Sequence, residues 1–229
     1  MPVPRPIPSP RRLAVAGSTG AVGRTLVRLA PQVQPGLALV PLVRRRSAAS
    51  APPGAALVDF QGPDAVEELA RALRGATTLL QLVGTMRRRF ASGDTYETSD
   101  VGTTRTLLQA AVRAGSVDHV VLLSATGAGR PVGAYLKAKA QAEALVRASG
   151  LPFTLVRPSA FEGEGHRPPP GSHLLAHLPG LRALRPIPVE ALARALLHVG
   201  ATRTGLGAVL EGEALWAMVR ESGASPPAG

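Results

Sequence analysis

The stretch Arg12–Gly23, RLAVAGSTGAVG, decides the reading of this chain. Arg12 to Gly17 is a short apolar run ending in glycine, the pattern of a buried strand. Ala21 to Ala30 follows with Val22, Leu26 and Leu29 at helical spacing. Between them, Gly17, Thr19, Gly20, Ala21, Val22 and Gly23 make a glycine-rich passage from strand into helix. Glycines in that passage allow a tight turn, close approach of a pyrophosphate, and close packing of helix on strand. The helix N-terminus adds free amides and the positive end of a dipole, both suited to an anion. A glycine trio alone often marks only a tight turn. This one follows a strand, opens a helix and sits in the first such unit of the chain, so it is read as a dinucleotide phosphate loop.

Outward from this loop the alternation continues. Strands are expected over Leu37–Val43, Ala56–Phe60, Thr77–Val83, Val117–Leu123 and Phe153–Arg157. Helices are expected over Pro63–Leu73, Thr98–Ala114 and Val132–Ser149, the last two stopped by Gly115 and Gly150. In the Thr98–Ala114 helix, Val101, Thr104, Leu108, Ala111 and Val112 are assigned to the buried face. After Pro158 the pattern turns irregular, with a helix over Val189–Val199 and a strand over Ala208–Glu211. This rhythm predicts an α/β fold, a doubly wound parallel sheet of six or seven strands, with a small C-terminal appendage on the substrate side. The expected organisation is a flexible proline-rich tail (1–11), a nucleotide-binding domain (12–165), the appendage completing that domain (166–220) and a second tail (221–229).

Composition narrows the function classes. The chain has 229 residues, enough for one domain with a full core. It has no cysteine, which excludes disulfides, thiolate metal sites and cysteine nucleophiles. No apolar run approaches a membrane span, and MPVPRPIPSPRR lacks the apolar stretch of a signal peptide, so a cytoplasmic protein is expected. The net charge is +11, yet only Lys137 and Lys139 are lysines. Arginine enrichment beside many Ala, Gly and Pro is the mark of a GC-rich coding sequence. Aromatics at 3% leave few platforms for stacking bases, which argues against a nucleic-acid partner.

Two further constellations carry chemistry. The second strand ends in Arg44-Arg45-Arg46, where this fold meets the adenosine ribose. An acid there would bond the ribose hydroxyls of NAD(H), whereas arginine matches a 2′-phosphate. NADP(H) is therefore the preferred cofactor, with Arg44 or Arg45 as reader and NAD(H) as the alternative; one more surface arginine is the competing view. Asp59, ending the third strand, is assigned either to the adenine amino group or to solvent. Tyr135 and Lys139 stand at i and i+4 on one predicted helix, so they share a face. A nearby ammonium favours a phenolate and lowers its pKa, which suits Tyr135 to general acid/base work on a carbonyl or alcohol substrate. Ser124, just past the fifth strand, is placed to bond a substrate oxygen. The alternative is that Tyr135 only packs or bonds the cofactor.

GSTGAVG, SATGA after the fifth strand, YLKAK, and LVRPSAFEGEG after the sixth occur here in one order. Together they resemble the atypical short-chain dehydrogenase/reductases, the NmrA-like group and relatives of the complex I accessory NAD(P)-binding subunit among them. The resemblance covers about residues 12 to 165 and implies a Rossmann fold. It also implies that Leu82, Val83 and Gly84 line the ribose and nicotinamide, and that Arg157, Pro158, Ser159 and Phe161 close over the nicotinamide. Ser124, Tyr135 and Lys139 fall on the catalytic serine, tyrosine and lysine. The stretch DVGTTRTLLQAA departs from the family at Asp100, where an asparagine of the proton relay is usual. The functional expectation is thus an NADP(H)-dependent oxidoreductase, with a non-catalytic NAD(P)-binding sensor, regulator or assembly scaffold as the alternative.

The remaining motifs are weaker. Arg87-Arg88-Arg89 are read as a solvated loop near the site mouth. His173 and His177 have ligand spacing but no acidic companion, so no metal is assigned. Glu162 and Glu164 are read as a surface turn.

Overall fold

The computed structural model describes residues 11–84, 95–163 and 184–223. Its centre is β1 (Arg12–Ala16), whose side chains alternate between two cores. Leu13 and Val15 enter one hydrophobic cluster, and Ala14 and Ala16 the other. A strand buried on both sides needs helices on both sides, and the chain supplies them. The elements run β1, α1 (Ala21–Val33), β2 (Ala38–Arg44), a 3-10 turn (Arg45–Ser50), β3 (Ala56–Val58), α2 (Ala65–Ala72) and β4 (Thr78–Gln81). Then come a π-type turn (Tyr96–Gly102), α3 (Thr103–Ala114), β5 (His119–Leu123), α4 (Gly133–Ala148) and β6 (Phe153–Arg157). The last part holds β7 (Phe161–Glu162), β8 (Ile187–Pro188), α5 (Val189–Thr202), β9 (Val209–Glu211) and α6 (Glu213–Glu221).

Seven strands form one parallel sheet in the order β3-β2-β1-β4-β5-β6-β9. The doubly wound parallel sheet expected from the sequence is the architecture found. The chain winds outward from β1 to β3, then returns to β4 on the other side of β1. That reversal opens a crevice at the carboxyl ends of β1 and β4, where such sheets bind ligands. One face is covered by α1, α5 and α6 through Leu26, Leu29, Leu192, Leu196 and Trp216. The other is covered by α2, α3 and α4 through Leu69, Leu73, Leu107 and Val146.

Several boundaries differ from the sequence expectation for physical reasons. Helix α1 runs past Ala30 to Val33 and takes Pro31 into its last turn. Strand β2 tolerates Pro41 because β3 pairs only from Leu42 onward, leaving Pro41 flanked on that side by no strand. The helix expected from Thr98 begins at Tyr96 as a π-type turn. A reciprocal Thr95–Thr98 capping box fixes its start. In α3 the buried seam is Thr104, Leu107, Leu108 and Ala111, so Val112 falls off its edge and is 55% exposed. Gly115, left-handed at φ +68°, ends α3 as expected.

The C-terminal elements pack onto the sheet and its helices. Strand β9 extends the sheet beside β6, β7 and β8 form a separate two-stranded parallel ladder, and α5 packs along α1. Among the described residues no helix is long and apolar enough to cross a membrane, and no cluster of three potential metal ligands exists. Arg87–Arg89, Glu164, His173 and His177 lie outside the described residues.

Candidate functional site

The glycine loop has the form its sequence predicts. Gly17 turns with φ +89°, and a Cβ there would lie 2.8 Å from the Leu82 carbonyl carbon. A Cβ on Gly23 would lie 2.2 Å from the Gly17 carbonyl oxygen, so this glycine exists to let helix and loop touch. Gly20 differs: among the described residues beyond its chain neighbours, its absent Cβ would meet only that same oxygen, at 3.3 Å. Its amide donates to the Gly17 carbonyl (3.0 Å), and Gly20 then caps α1 with no side-chain cap and no acid in the first turn. The amides opening α1, the dipole end and the lack of a side chain at Gly20 together fit an anion of pyrophosphate size.

This loop forms one wall of the crevice. Gly17, Thr19 and Gly20 face Leu42, Val43 and Arg44 of β2, Phe60 beyond β3, and Leu82, Val83 and Gly84 beyond β4; Ser99 and Thr103 close the end. The donor set fits a dinucleotide: amides for phosphate, an arginine at the ribose end, apolar walls between. Val22 faces the core instead, 5% exposed, so only the backbone around Ala21 and Val22 belongs to the loop surface.

Other expected contacts are engaged elsewhere. Asp59 accepts from Arg45 Nε at 3.3 Å, and Arg45 also pairs with Glu68. The Asp59 amide donates to Glu68 at 2.9 Å. The Asp59 carboxylate is thus turned to a guanidinium rather than to the crevice, and the Arg45 charge is matched by two acids. Arg44 is the member of the arginine run that lines the crevice.

The Tyr135–Lys139 pair occupies one face of α4, beside the π-type turn. Lys139 is buried with its Nζ 2.9 Å from Asp100 Oδ1 and donating to the Leu123 carbonyl at 3.3 Å. The same Nζ lies 5.9 Å from the Tyr135 ring centroid, and Tyr96 stacks at a tilt with its centroid 5.7 Å from that ring. The expected lowering of the phenol does not occur. Desolvation pushes Tyr135 above its ordinary value, Asp100 and Tyr96 add to this, and the opposing pull of Lys139 is outweighed. A cation already paired with a carboxylate stabilises a phenolate poorly.

Ser124 is buried at the end of β5, and its hydroxyl donates to Glu143 Oε1 at 2.5 Å. Glu143 is clamped by Arg157, whose Nε and Nη2 donate to its two oxygens at 2.7 and 2.5 Å. Arg157 Nη1 reaches Glu211 Oε2 on β9 at 3.0 Å. Glu143 first, then Glu211, hold the guanidinium more firmly protonated than usual. Arg157 thus ties α4, β6 and β9 together behind the Ser124 loop. Phe161 likewise packs on the α1/α5 core, Pro158 is buried with its carbonyl accepting from the Thr126 amide, and Ser159 Oγ donates to the Arg185 carbonyl.

Sequence reasoning missed Phe60, Ser99, Thr103 and Glu143. Glu143 had a visible signal, since Tyr135, Lys139 and Glu143 form one i, i+4, i+8 series. Ser99 and Thr103 also stand at i and i+4.

Comparison with known proteins agrees with this geometry. The model of a family described as NAD(P)H-binding matches residues 17–199. No curated protein sequence matches. Among solved structures, an oxidoreductase, ylbE, from Lactococcus lactis superposes with TM-score 0.65 at 22% identity, over 86% of this chain and 88% of that one. The Escherichia coli NADPH-dependent quinone oxidoreductase QOR2, complexed with NADPH, gives 0.63 at 18%, over 93% and 76%. The Citrobacter sp. triphenylmethane reductase, complexed with NADP(H), gives 0.61 at 18%, over 86% and 68%. At these identities the structures speak for the fold, while the family match spans most of the chain and coincides with the glycine loop, the crevice and both helical layers: the chain belongs to the NAD(P)H-binding family.

Proposed function

We propose that this chain is an NADP(H)-dependent oxidoreductase acting on a small carbonyl or alcohol. The observation that carries the reading is at Gly84. This residue lines the crevice, and a Cβ on it would lie 3.2 Å from Lys139 Nζ. The dinucleotide crevice and the tyrosine–lysine pair therefore adjoin, as a reaction between a bound nicotinamide and a protein acid requires.

When bound, the cofactor supplies the hydride. The chain's own residues do the rest. Gly17 to Gly23 hold the pyrophosphate, and Arg44 takes a 2′-phosphate that NAD(H) lacks. Leu82, Val83 and Gly84 line the ribose and nicotinamide end. Tyr135 exchanges the proton with substrate oxygen, and Lys139 fixes the ribose and the phenol. Ser124, with its hydroxyl committed to Glu143, positions the loop after β5.

Turnover of NADPH against aldehydes, ketones and quinones tests this. Tyr135→Phe is expected to keep cofactor affinity within a few-fold and to lower kcat by roughly 10²–10⁴-fold. Turnover unaffected by that substitution would sink the mechanism. The bond from Ser124 to Glu143 favours one second reading, a dinucleotide-binding sensor without turnover. In that case the wild type binds NADPH without oxidising it across the panel, and its stability responds to the cofactor's redox state.

A further inference from the structure

Asp100 stands where the resembled family carries a neutral amide, and it is 1% exposed. Its carboxylate meets the Lys139 ammonium at 2.9 Å, and Lys139 is itself 4% exposed. Among the described residues, the charged and titratable groups facing Tyr135 are Lys139 on its own helix, and Asp100 and Tyr96 on the π-type turn packed against that helix. A lone ammonium at this distance would stabilise a phenolate. An ammonium already joined to a carboxylate presents a nearly neutral pair.

We propose that Asp100 is a positioning residue: by pairing with Lys139 it holds the ammonium beside the Leu123 carbonyl and offsets the charge that would otherwise draw the Tyr135 phenol toward phenolate. This rests on the oxidoreductase reading and adds a residue that tunes its proton-exchanging tyrosine. The upward displacement of Tyr135, to which Asp100 contributes, agrees. Ser124 offers no competing proton. Glu143 accepts two bonds from Arg157, and the Ser124 hydroxyl donates its one proton to the same carboxylate and presents only lone pairs elsewhere. The proton for the substrate is left to Tyr135. In the step, the carbonyl carbon gains a hydride from a reduced nicotinamide and the C=O π electrons move to oxygen. That oxygen takes the Tyr135 proton, and the phenolate regains one from solvent. The carbonyl is reduced to an alcohol and the nicotinamide is oxidised.

The test uses protein without dinucleotide. Phenol ionisation is followed by ultraviolet difference titration. The chain has two tyrosines, so subtracting the Tyr135→Phe curve isolates Tyr135. The key variant is Asp100→Asn combined with Lys139→Arg, because arginine keeps its charge where an unpaired buried lysine would shed it. The Tyr135 midpoint is expected to fall by about one unit, a tenfold rise in its ionisation constant. A folded double variant with the wild-type midpoint overturns the proposal. Asp100→Ser combined with Lys139→Arg is a second form of the same test, and a folded protein with the wild-type midpoint overturns the proposal there too. These midpoints are read without cofactor, so their failure leaves the cofactor reading standing. Failure of NADPH to bind sinks that reading without moving them.

Discussion

Gly20 and Gly23 sit one helical turn apart and are expected to fail in different ways. Gly20 lines the crevice and its absent Cβ has one close contact, the Gly17 carbonyl oxygen at 3.3 Å, so Gly20→Val is expected to abolish dinucleotide binding with a smaller loss of stability than a substitution at Gly23. Gly23→Val drives a side chain into the Gly17 carbonyl and is expected to lower stability with or without ligand. Calorimetric titration beside thermal melts separates the two. Arg44→Ala is expected to weaken NADPH roughly 10–100-fold, the worth of charge-assisted bonds to a phosphate, and to leave NADH nearly unchanged. Equal dissociation constants for both cofactors in wild type would remove Arg44 as the reader. The roles of Gly20 and Gly23 were legible in the sequence because they depend on neighbours a few positions away, whereas Gly17 meets Leu82 and Val83 beyond β4. The engagement of Arg45 and Arg157 was not legible, because their acids come from the end of β3, α2, α4 and β9, and nothing local to an arginine announces partners on other elements.

At the scale of elements, α4 carries Tyr135, Lys139 and Glu143 on one face, and two buried ion pairs fix it. Asp100 joins it to the turn before α3, and Arg157 joins it to β6 and through Glu211 to β9. Arg157→Met leaves Glu143 buried without its cation and is expected to cost about 3–5 kcal/mol, read from urea unfolding. Arg45→Ala breaks pairs at a half-exposed guanidinium and is expected to cost at most about 1 kcal/mol. Similar values for the two would refute the view that Arg157 braces the site. Element identities could be read from the sequence because parallel strands buried on both faces appear as uninterrupted apolar runs, HVVLL in β5 for instance. The π-type turn could not, because its wider hydrogen-bonding step leaves no periodic signature in seven residues.

For the molecule as a whole, NADPH at about 100 times its dissociation constant is expected to add about 2.7 kcal/mol, a rise of roughly 5–10 °C in Tm for a chain of this size. An unchanged melt would count against the crevice as its site. Acid sensitivity has a separate origin. His119 is fully buried at the opposite end of β5, bonded through Nε2 to Thr154, and burial first, then Arg203 and Arg11, bring it down to about 4. Between its ordinary 6.5 and about 4, the unfolded chain takes a proton that the folded chain refuses. Stability from this residue is therefore complete above 6.5 and lost as the pH falls toward 4, on the order of 2–3 kcal/mol. His119→Gln is expected to flatten that part of the pH dependence in urea melts at pH 7 and 4.5.

The two outermost strands, β3 and β9, have three residues each. An open sheet ends in rows of unsatisfied backbone groups, and the length of such a row sets how well it templates a strand from another molecule. Three residues offer a foothold too brief for lasting register. The seven-stranded sheet can thus keep a long apolar interior while giving almost no seed for fibrous growth, even when heat or acid loosens the helices that cover it.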